Sequence, residues 1–354
     1  MNNKIILLIG IATTMAFLIN LYLTPLLIFL SHKHGFFDKT DFRKIHTEDT
    51  SRFGGIGIFI SFLISTLLSP FLVSIIIRNE INFQNSEYSL PFLIFSVSII
   101  FLTGILDDFA EMRARYKLLG QLIASILAIL GGAVISSIQI PFTEITVQLG
   151  YFSIPLTIFW IIGITNSINL IDGIDGLSSG ISIFAAMIFG FVFLLHGQYL
   201  SAIICFILVG SLFGYLFFNF PPARIFMGDS GSLFLGFLLA VLPIATFPSS
   251  GTSLIMPMTM LSIPILDVIS AIWRRTRDKQ NVFSPDRLHV HHKLLDMGLN
   301  NRNILAVIYG LCLLSGLAAI LFESSDNNYI FILFAWILVS IFFIYLHYKK
   351  KDSK

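Results

Sequence analysis

The sequence predicts an all-α integral membrane protein with about eleven transmembrane helices, arranged as one polytopic domain over residues 1–354. Three observations predict it. Of the 354 residues, 56% are hydrophobic and only 12% charged, roughly half the charge of an ordinary soluble domain, and the mean hydropathy is +0.87. Such a chain cannot cover a surface facing water. Its apolar runs are long and unbroken, which suits helices and excludes the residue-by-residue alternation of a membrane barrel. Its basic residues, finally, fall almost entirely on one side of the resulting frame.

The first apolar run, Ile5 to Leu30, follows Lys4 and exceeds the 7–15 residues of a signal-peptide core, so it reads as a retained helix. A helix needs about 20 apolar residues to cross the hydrocarbon. Further spans are expected near 54–77, 90–106, 118–138, 153–170, 179–196, 199–219, 231–247, 252–273, 303–322 and 329–347. With the N-terminus outside and the C-terminus cytoplasmic, all of the 22 Lys and Arg except Lys4 and Arg78 lie on the inner side, as the positive-inside rule requires. The outer loops are short and plain, and the one from Gln139 to Phe152 alternates enough for a small hairpin. The inner loops carry nearly all the Asp and six of the eight His.

Other classes find little support. A net charge of +2 is too small to suggest nucleic acid. Cys205 and Cys312 lie inside apolar stretches and read as small packed hydrophobes, with no disulfide framework or metal pattern. A secondary transporter would place its polar residues near the midplane, often within repeats. Here the acids gather at inner helix ends.

Four constellations carry chemistry. Asp107 and Asp108 end the third span; adjacent helical residues point about 100° apart, so the two carboxylates cannot share one task. Glu111 follows one turn on. The bland alternative is a solvated helix end whose acids are offset by Arg113, Arg115 and Lys117. At the end of the fifth span, Asn169, Asp172 and Asp175 repeat every three residues, so a near-helical turn would show them on one side, with Gly173 and Gly176 allowing close approach of a ligand. Oxygen ligands so placed suit Mg²⁺ or a nucleotide, although Asp-Gly pairs also make plain turns.

The third constellation runs from Asn219 through Arg224 and Phe226 to Gly228-Asp229-Ser230-Gly231-Ser232, a helix start whose free backbone N–H groups would favour phosphate, unless Asp229 is only the cap. Phe226 would be a base-stacking platform or face lipid. It is not a Walker loop, having no Gly-Lys-Ser/Thr ending. The fourth, Asp286-Arg287-Leu288-His289-Val290-His291-His292-Lys293, has imidazoles but no further ligands to complete a zinc site, so donors to phosphate and sugar hydroxyls fit it better. Asp38, Arg43, Lys44 and His46, with Gly54-Gly55, follow span one. Asp267 in span nine has Arg274 and Arg275 as candidate partners.

Together these blocks resemble the polyprenyl-phosphate N-acetylhexosamine-1-phosphate transferase family from Asp38 to about Gly298. The blocks that carry the likeness are Leu106-Asp107-Asp108-Phe109 with Lys117 and Gln121, Asn169 to Leu177, Phe226 to Ser232, Pro264-Ile265-Leu266-Asp267 and His289-Val290-His291-His292. The resemblance implies a plasma-membrane enzyme with a cytoplasmic site, transferring a sugar phosphate from a UDP-sugar to undecaprenyl phosphate with release of UMP. It implies Mg²⁺, with Mn²⁺ as an alternative, and admits a homodimer. By the same analogy Asp107 or Asp108 deprotonates or positions the lipid phosphate, and Asn169 and Asp229 hold the metal. Asp172, Asp175, Asn219 and Phe226 surround uridine, Lys117 meets the pyrophosphate, and Arg287, His289, His291 and His292 meet sugar and phosphate, with Lys44 and His46 also in the substrate set. The muramoyl-pentapeptide branch carries three consecutive His; the interrupted tract here resembles the N-acetylglucosamine branch. Thr40 and Ser51 depart from the family's usual Pro, and Glu111 from its Asp.

Overall fold

The computed structural model describes residues 3–38, 50–76, 89–143, 145–247, 254–279, 289–325 and 329–349. Nine helices among them are long and apolar enough to cross a membrane. They are α1 (Asn3–His34), α2 (Gly54–Ile76), α3 (Leu90–Ala110), α5 (Ser153–Ile171, entered through a 3₁₀ turn), α6 (Leu177–Leu195), α7 (Tyr199–Asn219), α8 (Gly228–Thr246), α12 (Asn301–Ser324) and α13 (Tyr329–Lys349).

Two expected spans differ from the sequence reading. The stretch 118–138 is the shorter α4 (Ala114–Leu130), 17 residues and so about 26 Å long, stopped by the Gly131-Gly132 turn, where Gly132 has φ +102°. The stretch 252–273 is divided at Leu261 into α9 (Ile255–Met260) and α10 (Ser262–Arg277). Pro264 sits in the first turn of α10, where a missing N–H costs nothing because that group has no intrahelical partner. The helix therefore restarts there rather than running through. A short α11 (Val290–Asp296) precedes α12.

The expected outer hairpin is present: β3 (Ser137–Gln139) pairs antiparallel with β4 (Thr146–Gln148). A second small pair, β1 (Phe37–Asp38) with β2 (Thr50–Ser51), lies between α1 and α2. Both cysteines are buried and unoxidised.

Helix α8 is the hub, with 89% of its apolar window enclosed by protein against 28% for α1 and 22% for α13. It packs on α2, α3, α5 and α6. Small residues let its neighbours approach closely, as membrane helices need. A Cβ on Gly104 of α3 would come 2.4 Å from the Ser230 Cα, and one on Gly236 of α8 would come 2.7 Å from the Thr165 Cα of α5. Two polar side chains tie helices together within this apolar bundle: Asn20 of α1 donates to the Ser211 carbonyl of α7 at 2.6 Å, and Trp160 of α5 to the Ala240 carbonyl of α8 at 3.0 Å. The ends of α3, α5 and α7 and the starts of α2, α4, α6 and α8 consequently meet at one end of the bundle.

Candidate active site

Helix α8 begins against its neighbours. Gly54 and Gly55, opening α2, donate backbone N–H groups to the carbonyls of Phe226 and Met227 at 3.0 and 2.8 Å, while the Phe226 N–H reaches the Ser51 carbonyl at 2.7 Å. No larger residue could replace Gly55 without movement, since its Cβ would meet Gly231 N at 2.2 Å. Gly228 turns with φ +70°, and the space over it is filled by the Asp108 carboxylate and the Arg52 carbonyl.

Asp107 and Asp108 diverge as their helical positions require. Asp108 accepts from the backbone N–H groups of Asp229 and Ser230 at 2.7 and 2.9 Å. It is the cap of α8, provided from another helix, and these are the N–H groups that the sequence reading left free for phosphate. Asp107 is buried and pairs with Lys117, which also contacts Asp229 at 3.1 Å. The backbone N–H of Met112 holds the other Asp107 oxygen at 2.7 Å. Lys117, on α4, thus bridges carboxylates of α3 and α8. Asn169 completes the group, donating its amide to Asp229 and, at 2.8 Å, to Ser232. Glu111 is exposed at the end of α3, in the left-handed region with φ +45°.

The three-residue repeat after α5 is not carried onward as helix. The helix ends at Ile171, and the chain reverses, so the three polar residues face different partners. Asn169 meets Asp229; Asp172 accepts from Ser178 at 2.8 Å; Asp175 accepts from the Ala223 N–H at 3.1 Å. Asn219 accepts from the Gly176 N–H at 2.9 Å and donates to the Ile225 carbonyl at 2.8 Å. Asp175 and Asn219 are both buried and tie the α5–α6 connection to the α7–α8 connection. The Phe226 ring remains partly exposed.

The His tract lies on the same connection. The His291 ring fills the space over Gly173, where a Cβ would be 2.2 Å from Nε2, and it is parallel to His289 within 8°. His292 packs on His291 with centroids 4.3 Å apart. Burial pushes the His291 pKa down to about 4, helped by the neighbouring His292; burial likewise pushes Asp172 up to about 7, and the nearby carboxylates add to it. Both groups are therefore largely without charge just below neutrality. Asp267 pairs with neither Arg274 nor Arg275, which lie two helical turns further along α10. Its carboxylate instead meets His289 Nδ1 and accepts from the Val290 N–H, both at 2.8 Å. Lys44, His46 and Arg287 lie outside the described residues.

Asp107, Asp229 and the amide of Asn169 offer hard oxygens, and Lys117 shows that the two carboxylates seat positive charge between them. Among the described residues no group of three or more His, Cys, Asp or Glu is gathered into a closed cage. Mg²⁺ commonly takes only one or two protein carboxylates, completing its shell with water and substrate phosphate, and the donor set fits that habit. Ligation by Asn169 oxygen requires its amide to turn over.

Residues 90–247, which include every member of the Lys117 cluster, match the family described as Glycosyl transferase family 4. A probable undecaprenyl-phosphate N-acetylglucosaminyl 1-phosphate transferase of Bacillus subtilis (strain 168) is 34% identical over 95% of this chain and 88% of its own length. The chain belongs to that family of polyprenyl-phosphate sugar-1-phosphate transferases. A decaprenyl-phosphate N-acetylglucosaminephosphotransferase of Mycobacterium tuberculosis is 30% identical over 80% of this chain and 76% of its own. A phospho-N-acetylmuramoyl-pentapeptide-transferase of Listeria monocytogenes is 38% identical, but over 51% of this chain and 58% of its own.

Some contacts around these residues could not be read from the sequence, even where it had marked one of the partners. Ser178 is an ordinary serine in an apolar chain until folding sets it against Asp172, and Ser232, marked only as part of the α8 start, is set against Asn169. Asn166 forms a reciprocal amide pair with Gln121, at 2.8 and 3.2 Å, one turn deeper than Asn169 and Lys117. The i, i+3 and i, i+4 spacings of Asn166 to Asn169 and Lys117 to Gln121 could have pointed to this second polar layer.

Proposed function

We propose that this protein transfers N-acetylglucosamine 1-phosphate from UDP-N-acetylglucosamine to undecaprenyl phosphate, releasing UMP, in a Mg²⁺-dependent reaction on the cytoplasmic side of the plasma membrane. With α4 and the α9–α10 pair added to the nine long helices the chain would cross eleven times, and the distribution of Lys and Arg favours an outer N-terminus and an inner loaded end. The observation that carries the reading is Lys117 bridging Asp107 and Asp229, which come from three different helices at the end of the bundle where the Asp172 and His291 segments also meet. The N-acetylglucosamine donor is favoured by the Bacillus and Mycobacterium relatives and by the interrupted His tract.

In this reaction an oxygen of the lipid phosphate forms a bond to the sugar-bearing phosphorus. The bond from that phosphorus to the bridging oxygen breaks, and the oxygen leaves with UMP. Such transfer depends chiefly on positioning and charge neutralisation. Asp107 would accept a proton from the lipid phosphate or orient it. Lys117 offsets charge on the diphosphate, and the ammonium that now bridges two carboxylates would swing to it. Asp108 holds α8 so that Asp229 is presented at its first turn. Asp229 and Asn169 would hold Mg²⁺, which when bound supplies positive charge to the diphosphate oxygens.

The test is purified protein with undecaprenyl phosphate, Mg²⁺ and a panel of UDP-sugars, with UMP measured. UMP release with UDP-N-acetylglucosamine that stops on chelation supports the reading. Release only with UDP-N-acetylmuramoyl-pentapeptide would move the donor to the other branch. Solute uptake by reconstituted protein with no UMP from any donor would mean a transporter.

A further inference from the structure

We propose that Tyr309 is a positioning residue for the nucleotide-sugar donor: its hydroxyl fixes the first turn of α6, and that turn, through Ser178, holds Asp172 where it meets the nucleoside. The proposal rests on the UDP-sugar reading above. Tyr309 lies two turns into α12, beyond the matched residues 90–247. Its hydroxyl donates to the Gly176 carbonyl at 2.5 Å. Its ring fills the space beside Gly180, where a Cβ would come 2.0 Å from the hydroxyl oxygen and 2.1 Å from Cζ. Phe184, one turn further along α6, packs on the same ring with centroids 5.4 Å apart.

The hydroxyl is not needed to start the helix. The Gly176 carbonyl already accepts from the Gly180 N–H at 3.0 Å, the first bond of the α6 ladder, and a phenylalanine ring would fill the same slot. What the phenol adds is a second anchor on Gly176, which turns the chain with φ +76°, a conformation that favours glycine. The Gly176 N–H is held by Asn219 of α7 at 2.9 Å and its carbonyl by Tyr309 of α12. Two residues on, Ser178 donates to Asp172 Oδ1 at 2.8 Å. The other Asp172 oxygen has no hydrogen-bond partner among the described residues, and the side chain is half-buried beside the exposed Gly173. An oxygen so placed suits the hydroxyl and N–H groups of a nucleoside rather than its phosphates, which bring no donors. The ligand that reaches it is the soluble one, because residues 174–183 are buried throughout and offer no face to a lipid tail.

Tyr309→Phe removes the hydroxyl and keeps the ring. The experiment compares wild type, Y309F, S178A and the double variant, all as full-length protein in detergent. It reads the Kd for UDP by calorimetry, kcat for UMP release, separate KM values for UDP-N-acetylglucosamine and undecaprenyl phosphate, and the thermal midpoint. A variant that is merely less stable supplies fewer active molecules and lowers kcat, but it leaves Kd and KM where they were, so these constants isolate positioning.

Y309F should raise the UDP Kd and the donor KM about three- to tenfold, the scale of one hydrogen bond, with the KM for undecaprenyl phosphate within about twofold of wild type. S178A should move the same two constants in the same direction. In the S178A background Y309F should add less than about twofold, because both act through the placement of Asp172. Wild-type UDP Kd and donor KM in Y309F, whatever its thermal midpoint, would assign the hydroxyl to the fold alone and overturn the proposal, as would Y309F protein that does not fold. An equal rise in the KM for undecaprenyl phosphate, or an undiminished Y309F effect beside S178A, would overturn it too. If wild type binds UDP but releases no UMP from any donor, the transferase reading fails, while the UDP Kd series still decides the role of Tyr309. Failure of wild type to bind UDP overturns the proposal.

Discussion

The carboxylates of Asp107 and Asp108 leave α3 in different directions and meet different partners, which separates their expected phenotypes. Asp107→Asn should abolish UMP release and leave the thermal midpoint close to wild type, because the amide oxygen still accepts from Met112. Asp108→Asn replaces an oxygen that accepts a backbone N–H at the head of α8, so it should lower the thermal midpoint as well as the rate, at a cost of about 1 kcal/mol or more. Paired activity and melting assays on the two variants check this. Asp172 and His291 give a second residue-scale prediction. The folded His291 has its pKa below the ordinary 6.5, so its share of stability is present above 6.5 and is lost as pH falls toward 4. The folded Asp172 has its pKa above the ordinary 3.8, so its share is present below 3.8 and is lost as pH rises through 7. Between pH 4.5 and 6.5 the two slopes oppose each other. Relative to wild type, D172N should gain stability with rising pH across that window and H291Q should lose it, measured by melting midpoints in detergent.

At the scale of the element, the head of α8 is held by backbone rather than by its own side chains. It receives its cap from α3, and its preceding carbonyls are bound by the first N–H groups of α2. Close approach makes this possible, and Gly104 is the contact that permits it. Gly104→Val should push α3 away from Ser230 and cost about 1–3 kcal/mol by overpacking. UMP release should fall with it, because the backbone that Gly104 packs against includes the Ser230 N–H bound by Asp108. Gly163→Ala, a helical glycine with open space where the methyl group would go, should melt and turn over like wild type. A Gly104→Val protein with normal stability and activity would show that the α3–α8 spacing does not set the site.

For the whole molecule, the arrangement of one loaded end and one plain end yields a topology test. Cys205 and Cys312 are buried, so the native chain offers little background to an impermeant maleimide. Tyr151→Cys, at a fully exposed residue on the hairpin side, should label in intact cells. Asn303→Cys, exposed at the start of α12, should label only after the membrane is opened. Labelling of both from outside would reject the orientation, and with it a site shared by a cytoplasmic nucleotide sugar and a membrane lipid.

Much was legible in the sequence because membrane insertion is dictated by local composition. Hydrophobic length placed the nine long helices within a few residues of where they lie, and the alternation from Gln139 to Phe152 marked a hairpin whose strands are Ser137–Gln139 and Thr146–Gln148. The chemical residues could be named because acids and imidazoles are scarce in such a chain and stand out. The shortness of α4 and the restart at Leu261 were less visible, since Gly and Pro act there against an apolar background that otherwise favours continued helix. What only the tertiary structure decided is which group satisfies which. Asp108 caps a helix 120 residues away, Lys117 sits between two acids, and Asp267 takes a histidine rather than an arginine. These are contacts between segments far apart in the chain, where burial makes an unpartnered polar atom costly and the packing of helices determines which partner is within reach.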